Sequence, residues 1–117
     1  MTIKRIKVGD RMSQAVVYNG VVTTAGQVAQ GAAGASITDQ TKDILAAIDG
    51  LLAEAGTDKS KALTATIWLS DIGDFAEMNA VWDAWVSPGN TPTRACVESR
   101  LAAPHFNVEI AVSAAVD

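Results

Sequence analysis

Hydrophobic and polar positions along the chain change period several times, and each change marks an element. Ala15 to Thr24 holds two β-rich runs, Ala-Val-Val-Tyr and Val-Val-Thr-Thr, around Asn19-Gly20. That dipeptide suits a two-residue type I′ turn, so a β-hairpin is predicted. Gly26 to Ser36 has three Gly, four Ala and no period, and reads as a loop leading off the sheet. It lacks the Gly-Lys-Ser/Thr ending of a phosphate loop. Ile44, Leu45, Ile48, Leu51, Leu52 and Ala55 then recur at helical spacing, with Thr38 as N-cap and Gly56 at the C′ position.

Strict alternation returns over Ala62 to Leu69, with Leu63, Ala65, Ile67 and Leu69 on one face and Thr64, Thr66 and Trp68 on the other. Asp74 and Glu77 read as a capping box before a second helix. In it Phe75, Met78, Trp82 and Trp85 form a core stripe that ends at Pro88-Gly89. Two strands follow, over Thr93 to Glu98 and Asn107 to Val116, separated by a loop containing Pro104. The order of hairpin, helix, strand, helix, strand, strand predicts an α+β fold: five or six strands with two helices on one face. Nothing remains to cover the other face. Its candidates Trp68, Ala111 and Ala115 are partly apolar, which points to subunit packing there.

Composition narrows the class. At 117 residues, 49% of them hydrophobic and 19% charged, the chain suits a single globular domain over 1–117. No apolar run reaches the roughly 20 residues of a membrane span, and the first residues lack the apolar core of a secretory signal, so a cytoplasmic location and no membrane partner are expected. One Cys and one His argue against an internal disulfide or a thiolate or imidazole metal cluster. A net charge of −4, with no basic cluster beyond Lys4-Arg5-Ile6-Lys7, argues against a nucleic-acid partner.

Two residues stand out chemically. Alternation puts Arg94, Cys96 and Glu98 on one face of their strand, with Arg94 and Cys96 roughly 6.6 Å apart. In the last strand Glu109 shares its face with Asn107, Ala111, Ser113 and Ala115, opposite the apolar Val108, Ile110, Val112 and Ala114. A carboxylate in that setting is exposed, paired or used. Read as residues alone, Arg94 is either a ligand anchor or a strand arginine paired with a carboxylate such as Glu98. Cys96 reads as packing, His105 as an exposed or capping loop residue, and Asn79 as a helix-surface hydrogen-bonding group.

Five ordered blocks add a resemblance: Ser13-Gln14-Ala15, Gly26-Gln27, Phe75-Ala76-Glu77-Met78-Asn79, Pro92-Thr93-Arg94-Ala95-Cys96-Val97-Glu98 and Val108-Glu109-Ile110. In this the chain resembles, along nearly its whole length, the RidA/YjgF family of imine deaminases. The resemblance implies a chorismate-mutase-like mixed sheet, a homotrimer with active sites between subunits, and hydrolysis of 2-imino acids or their enamines to 2-keto acids and ammonia, with no cofactor. By resemblance Arg94 holds the substrate carboxylate and Glu109 holds or activates water. Cys96, Ala25, Gly26, Met12 and Asn79 would line the pocket. Members usually carry Tyr and Ser where this chain has Met12 and Ala25, which suggests a paralogous branch. A non-catalytic trimer binding 2-keto acids or similar carboxylates is the alternative, and RNA cleavage or translation inhibition ranks last.

Overall fold

A computed structural model describes residues 2–117. The chain runs β1 (Lys4–Val8), β2 (Ser13–Tyr18), β3 (Val21–Thr24), β4 (Gln27–Val28), α1 (Ile37–Glu54), β5 (Ala62–Leu69), α2 (Phe75–Trp85), β6 (Thr93–Glu98) and β7 (Val108–Ala115). The strands form one seven-stranded mixed sheet in the order β1-β2-β3-β7-β5-β6, with β4 pairing the other half of the edge of β7 that β3 occupies. Only β5 and β6 are parallel. Both helices lie on one face, where Ile44, Ile48 and Leu52 of α1 and Met78 and Trp82 of α2 pack on Ile67, Ile110 and Val112. The α+β architecture therefore stands as expected.

The hairpin turns where the sequence places it. Asn19 and Gly20 both take positive φ, 52° and 78°, as a type I′ turn requires, and pair Tyr18 with Val21. Two strands went unforeseen, which raises the count from five or six to seven. β1 buries only Ile6 among Lys4, Arg5, Lys7 and Val8, so it carries almost no hydrophobic period. Its charges suit an edge, where they discourage pairing with another chain. β4 is two residues long and lies inside the segment read as loop.

The helix ends also correct the sequence reading. α1 begins at Ile37, capped by Ser36, whose hydroxyl accepts from Asp39 N at 3.1 Å; Thr38 is already inside the helix. At the other end Gly56 N donates to Ala53 O and Thr57 N to Leu52 O, with Gly56 at φ 88°, which is a Schellman closure. The capping box of α2 does not form. Asp74 makes no side-chain cap, because the chain enters α2 through a 3₁₀ turn, and Asp71 takes Gly73 N instead. Glu77 is used between helices, accepting from the backbone N and hydroxyl of Thr38 at 3.0 and 2.9 Å.

Two expected core positions are exposed. Leu63 is turned outward by a bulge against β7 between Ala62 and Thr64, so the β5 pattern resumes in phase only from Ala65. Phe75, at the first turn of α2, is also exposed. The rest of the aromatic stripe is core, and Trp85 Nε1 donates to Asp49 across the helix pair at 3.0 Å.

The sheet face away from the helices carries Trp68, Ala111 and Ala115, all half-buried, with Thr66 and Ser113 between them. No helix among the described residues is long and apolar enough to cross a membrane. Ile67 is fully buried between β7 and the helices. Ile67→Ala leaves a cavity there and is expected to cost about 2–5 kcal/mol, read as a lower urea midpoint at unchanged m-value.

Candidate functional site

Residues singled out in the sequence gather into two clusters, one on each side of the sheet. The register sets this division. β6 pairs with β5 so that Arg94 lies opposite Ala65 and Cys96 opposite Ile67, both buried toward the helices. Glu109 pairs with Trp68, on the uncovered face. Arg94 and Glu109 of one chain therefore project from opposite faces.

The first cluster is built on Arg94. β6 is the edge strand beyond β5, and α2 crosses near it, so the arginine side chain lies along the helix. Nη1 donates to Asn79 Oδ1 at 2.6 Å, and the guanidinium carbon sits 5.5 Å from the Trp82 ring centroid and 5.6 Å from that of Phe75. One amide and two aromatic faces thus hold the planar group while most of its donors stay unspent. A salt bridge to Glu98 does not form: Glu98 Oε1 accepts from Ile72 N at 3.0 Å instead. An exposed, oriented guanidinium without a carboxylate partner is shaped for a bidentate anion such as a carboxylate. Cys96, next on the same face, is half-buried against the core. Burial pushes its thiol up from the ordinary value and Arg94 only partly opposes this, so the sulfur is a neutral packing group.

The second cluster lies around Glu109, in a cleft of about 780 Å³. Its walls include Lys7 from β1, Met12 and Gln14 at the start of β2, Gly26 and Gln27 where β3 passes into β4, and Gly50 and Glu54 of α1, so the cleft is not confined to the uncovered face. Ala25 sits between these residues and is tied back by its N–H to Gln14 O at 2.8 Å. A Cβ on Gly26 would lie 2.1 Å from Glu109 Oε2, so the carboxylate rests directly over that glycine. Burial raises the Glu109 carboxyl above the ordinary glutamate value. Gly26→Ala must displace the Glu109 side chain. We expect the protein to fold at a cost of about 1–3 kcal/mol, with the Glu109 carboxyl, followed by ¹³C NMR, titrating closer to free glutamate.

The structure thus brings Met12, Ala25, Gly26 and Glu109 together, and separately Arg94, Cys96 and Asn79. His105 is exposed, its ring 4.5 Å from that of Phe106. Sequence reasoning missed Phe75 and Trp82 as the seat of Arg94, and Lys7, Gln14 and Gln27 as cleft walls. The signal for the glutamines was their place in two of the family-like blocks, Ser13-Gln14-Ala15 and Gly26-Gln27, where each is an amide among small or apolar neighbours. Among the described residues no cluster of His, Cys, Asp and Glu could hold a metal ion.

A mixed sheet with two helices on one face, connected in this order, has close structural counterparts. A crystal structure of a YjgF protein family member from Neisseria meningitidis matches with a TM-score of 0.96 at 48% identity, over 100% of this chain and 97% of that one. A RutC family protein of Haemophilus ducreyi is 44% identical over 98% of this chain and 97% of its own length. The RutC family protein YoaB of Escherichia coli is 43% identical over 99% and 100%. Residues 2–116 match the family described as Endoribonuclease L-PSP. The chain belongs to this family, which is also known as RidA/YjgF and includes the RutC proteins.

Proposed function

We propose that the protein is a deaminase that hydrolyses reactive 2-imino acids, or their enamine tautomers, to 2-keto acids and ammonia. The observation that carries this reading is the exposed Arg94 guanidinium, oriented by Asn79, Phe75 and Trp82 with no carboxylate among the described residues upon it. It grips the substrate carboxylate. Water held by Glu109 adds to the imine carbon and forms a carbinolamine. The proton released is relayed to the nitrogen, and the C–N bond breaks to leave ammonia and a carbonyl.

Since the two clusters lie on opposite faces, one chain cannot bring Arg94 and Glu109 to the same small substrate. The reading therefore includes a homotrimer in which Arg94 of one subunit faces Glu109 of the next, with the uncovered sheet face packed between subunits. The half-buried Trp68, Ala111 and Ala115 support that packing.

Added to an amino-acid oxidase reaction containing semicarbazide, the protein should lower semicarbazone formation by removing the imine first. Arg94→Ala and Glu109→Gln should each fail in this assay, yet regain part of the activity when unfolded and refolded together. Mixed assemblies rebuild about a quarter of the sites from one intact half of each kind. Two inactive variants that stay inactive on mixing would exclude a shared site.

Met12 and Ala25 favour a second reading, because they lack the hydroxyls that Tyr and Ser would bring to the cleft. The same Arg94 could then serve a trimer that binds 2-keto acids without turnover. Measurable keto-acid affinity with no acceleration across a panel of imines would establish it. The matched family's description names an endoribonuclease, but a net charge of −4 and a single, exposed histidine offer little to an RNA backbone.

A further inference from the structure

Between β3 and β4 the chain loses its pairing with β7 for three residues, Thr24 to Gly26, which stand against only two, Ala111 and Val112. β3 pairs Thr23 with Ser113, and pairing resumes only at Gln27 with Ile110. Such interruptions beside functional clefts commonly re-aim a side chain, and this one carries Gly26 beneath the Glu109 carboxylate.

Three side chains hold the interruption in place. Thr24 Oγ1 accepts from Val112 N at 3.0 Å, taking a ladder donor left free where pairing lapses. Gln27 Nε2 spends both hydrogens, one on Ala25 O at 3.1 Å and one on Gln14 Oε1 at 2.9 Å. The Gln14 backbone carbonyl takes Ala25 N at 2.8 Å. The Ala25 peptide groups are thus held on one side by the Gln14 backbone and on the other by the Gln27 amide, and Gly26 has little freedom to move.

We propose that Gln27, with Gln14 as its anchor, is a positioning residue that holds the Ala25–Gly26 bulge and so seats Glu109 over Gly26. Its effect on chemistry rests on the role given to Glu109 above, but the positioning does not. With the Gln27 bonds removed, the bulge relaxes, water reaches the carboxylate, and Glu109 becomes an ordinary surface glutamate. The charged groups sharing the cleft are Lys7 on β1 and Glu54 on α1. β4 and β5 bring Val28 and Trp68 beside Glu109, neither of them charged.

The test follows the glutamate carboxyls of the full-length protein by ¹³C NMR across pH, with Glu109 assigned by its loss in Glu109→Gln. Gln27→Leu keeps the bulk and removes both donors. Its Glu109 midpoint should fall toward the free value, with the circular dichroism spectrum unchanged. Gln14→Leu, which removes one of the two acceptors, should shift it the same way by less, and decides the matter if Gln27→Leu does not fold. An unmoved midpoint in the folded variant overturns the proposal. In the imine assay Gln27→Leu should lower kcat several-fold and leave KM nearly unchanged, because Arg94 still holds the carboxylate. A shifted midpoint in a protein that hydrolyses no imine would sustain the positioning and remove the deaminase reading. Normal deamination with an unmoved midpoint would do the reverse.

Discussion

On the proposed mechanism an Arg94→Ala protein is expected to fold like the parent and to lose about two orders of magnitude in kcat/KM for imine hydrolysis, the loss of roughly 3 kcal/mol of charge-assisted binding. Stability is spared because the guanidinium is exposed and its contacts with Phe75 and Trp82 are cation–π contacts, worth about 0.5–1 kcal/mol at such sites. Arg94→Lys should recover little. An ammonium keeps the charge but cannot present two parallel donors to a carboxylate while a third binds Asn79 and the plane lies over two rings. Steady-state kinetics with the semicarbazide trap, beside thermal unfolding of each variant, separates the binding loss from any folding loss. A near-normal Arg94→Ala enzyme would remove the carboxylate anchor from the mechanism.

Glu109→Gln is expected to reduce kcat by about 10²- to 10³-fold, the usual worth of a positioned general base, with KM little changed. The wild-type pH profile carries a second signature. Burial favours the protonated carboxyl, so Glu109 gains its proton at higher pH than free glutamate, whose value is about 4.3. Activity should rise with pH through a limb displaced above that value, since only the ionised form accepts a proton from water. The same limb should be missing from the residual rate of Glu109→Gln. The sign also bears on folding: the folded chain holds this proton more tightly than the unfolded one, so this group's contribution to stability declines as pH rises between the two values.

Where a residue's meaning lies within its own element, the sequence was legible. Asn19-Gly20 announces its turn through backbone freedom alone, and the period of α1 names its buried face. The same-face relation of Arg94 and Cys96 follows from alternation and holds in the register. Elements stabilised by their neighbours were hidden. β1 has one apolar contact to show for five residues, and β4 is too short to have a period. Thr38 reads as a cap because it precedes the apolar repeat, but in the structure its N–H and hydroxyl donate to Glu77 of the other helix. Leu63 obeys the alternation and is turned out by a bulge that only pairing with β7 reveals.

The candidate site divides along the same line. Family-like blocks marked Arg94 and Glu109, yet no spacing along the chain says that β6 and β7 turn these residues to opposite sides, because that depends on how both strands register with β5. The seat of Arg94 draws on α2, with Asn79 15 positions away along the chain, and the Gln14–Gln27 bond spans a hairpin. Such contacts exist only once the helices and strands have docked.

The separation of Arg94 from Glu109 by the thickness of the sheet has a consequence for the life of the protein in a cell. A freshly synthesised chain, however well folded, carries the two halves of a tool back to back. On the proposed mechanism it acquires function only on meeting its siblings, so output depends more steeply on abundance than the number of chains alone would suggest. A substitution that merely loosens association would lower that output while leaving every individual chain intact.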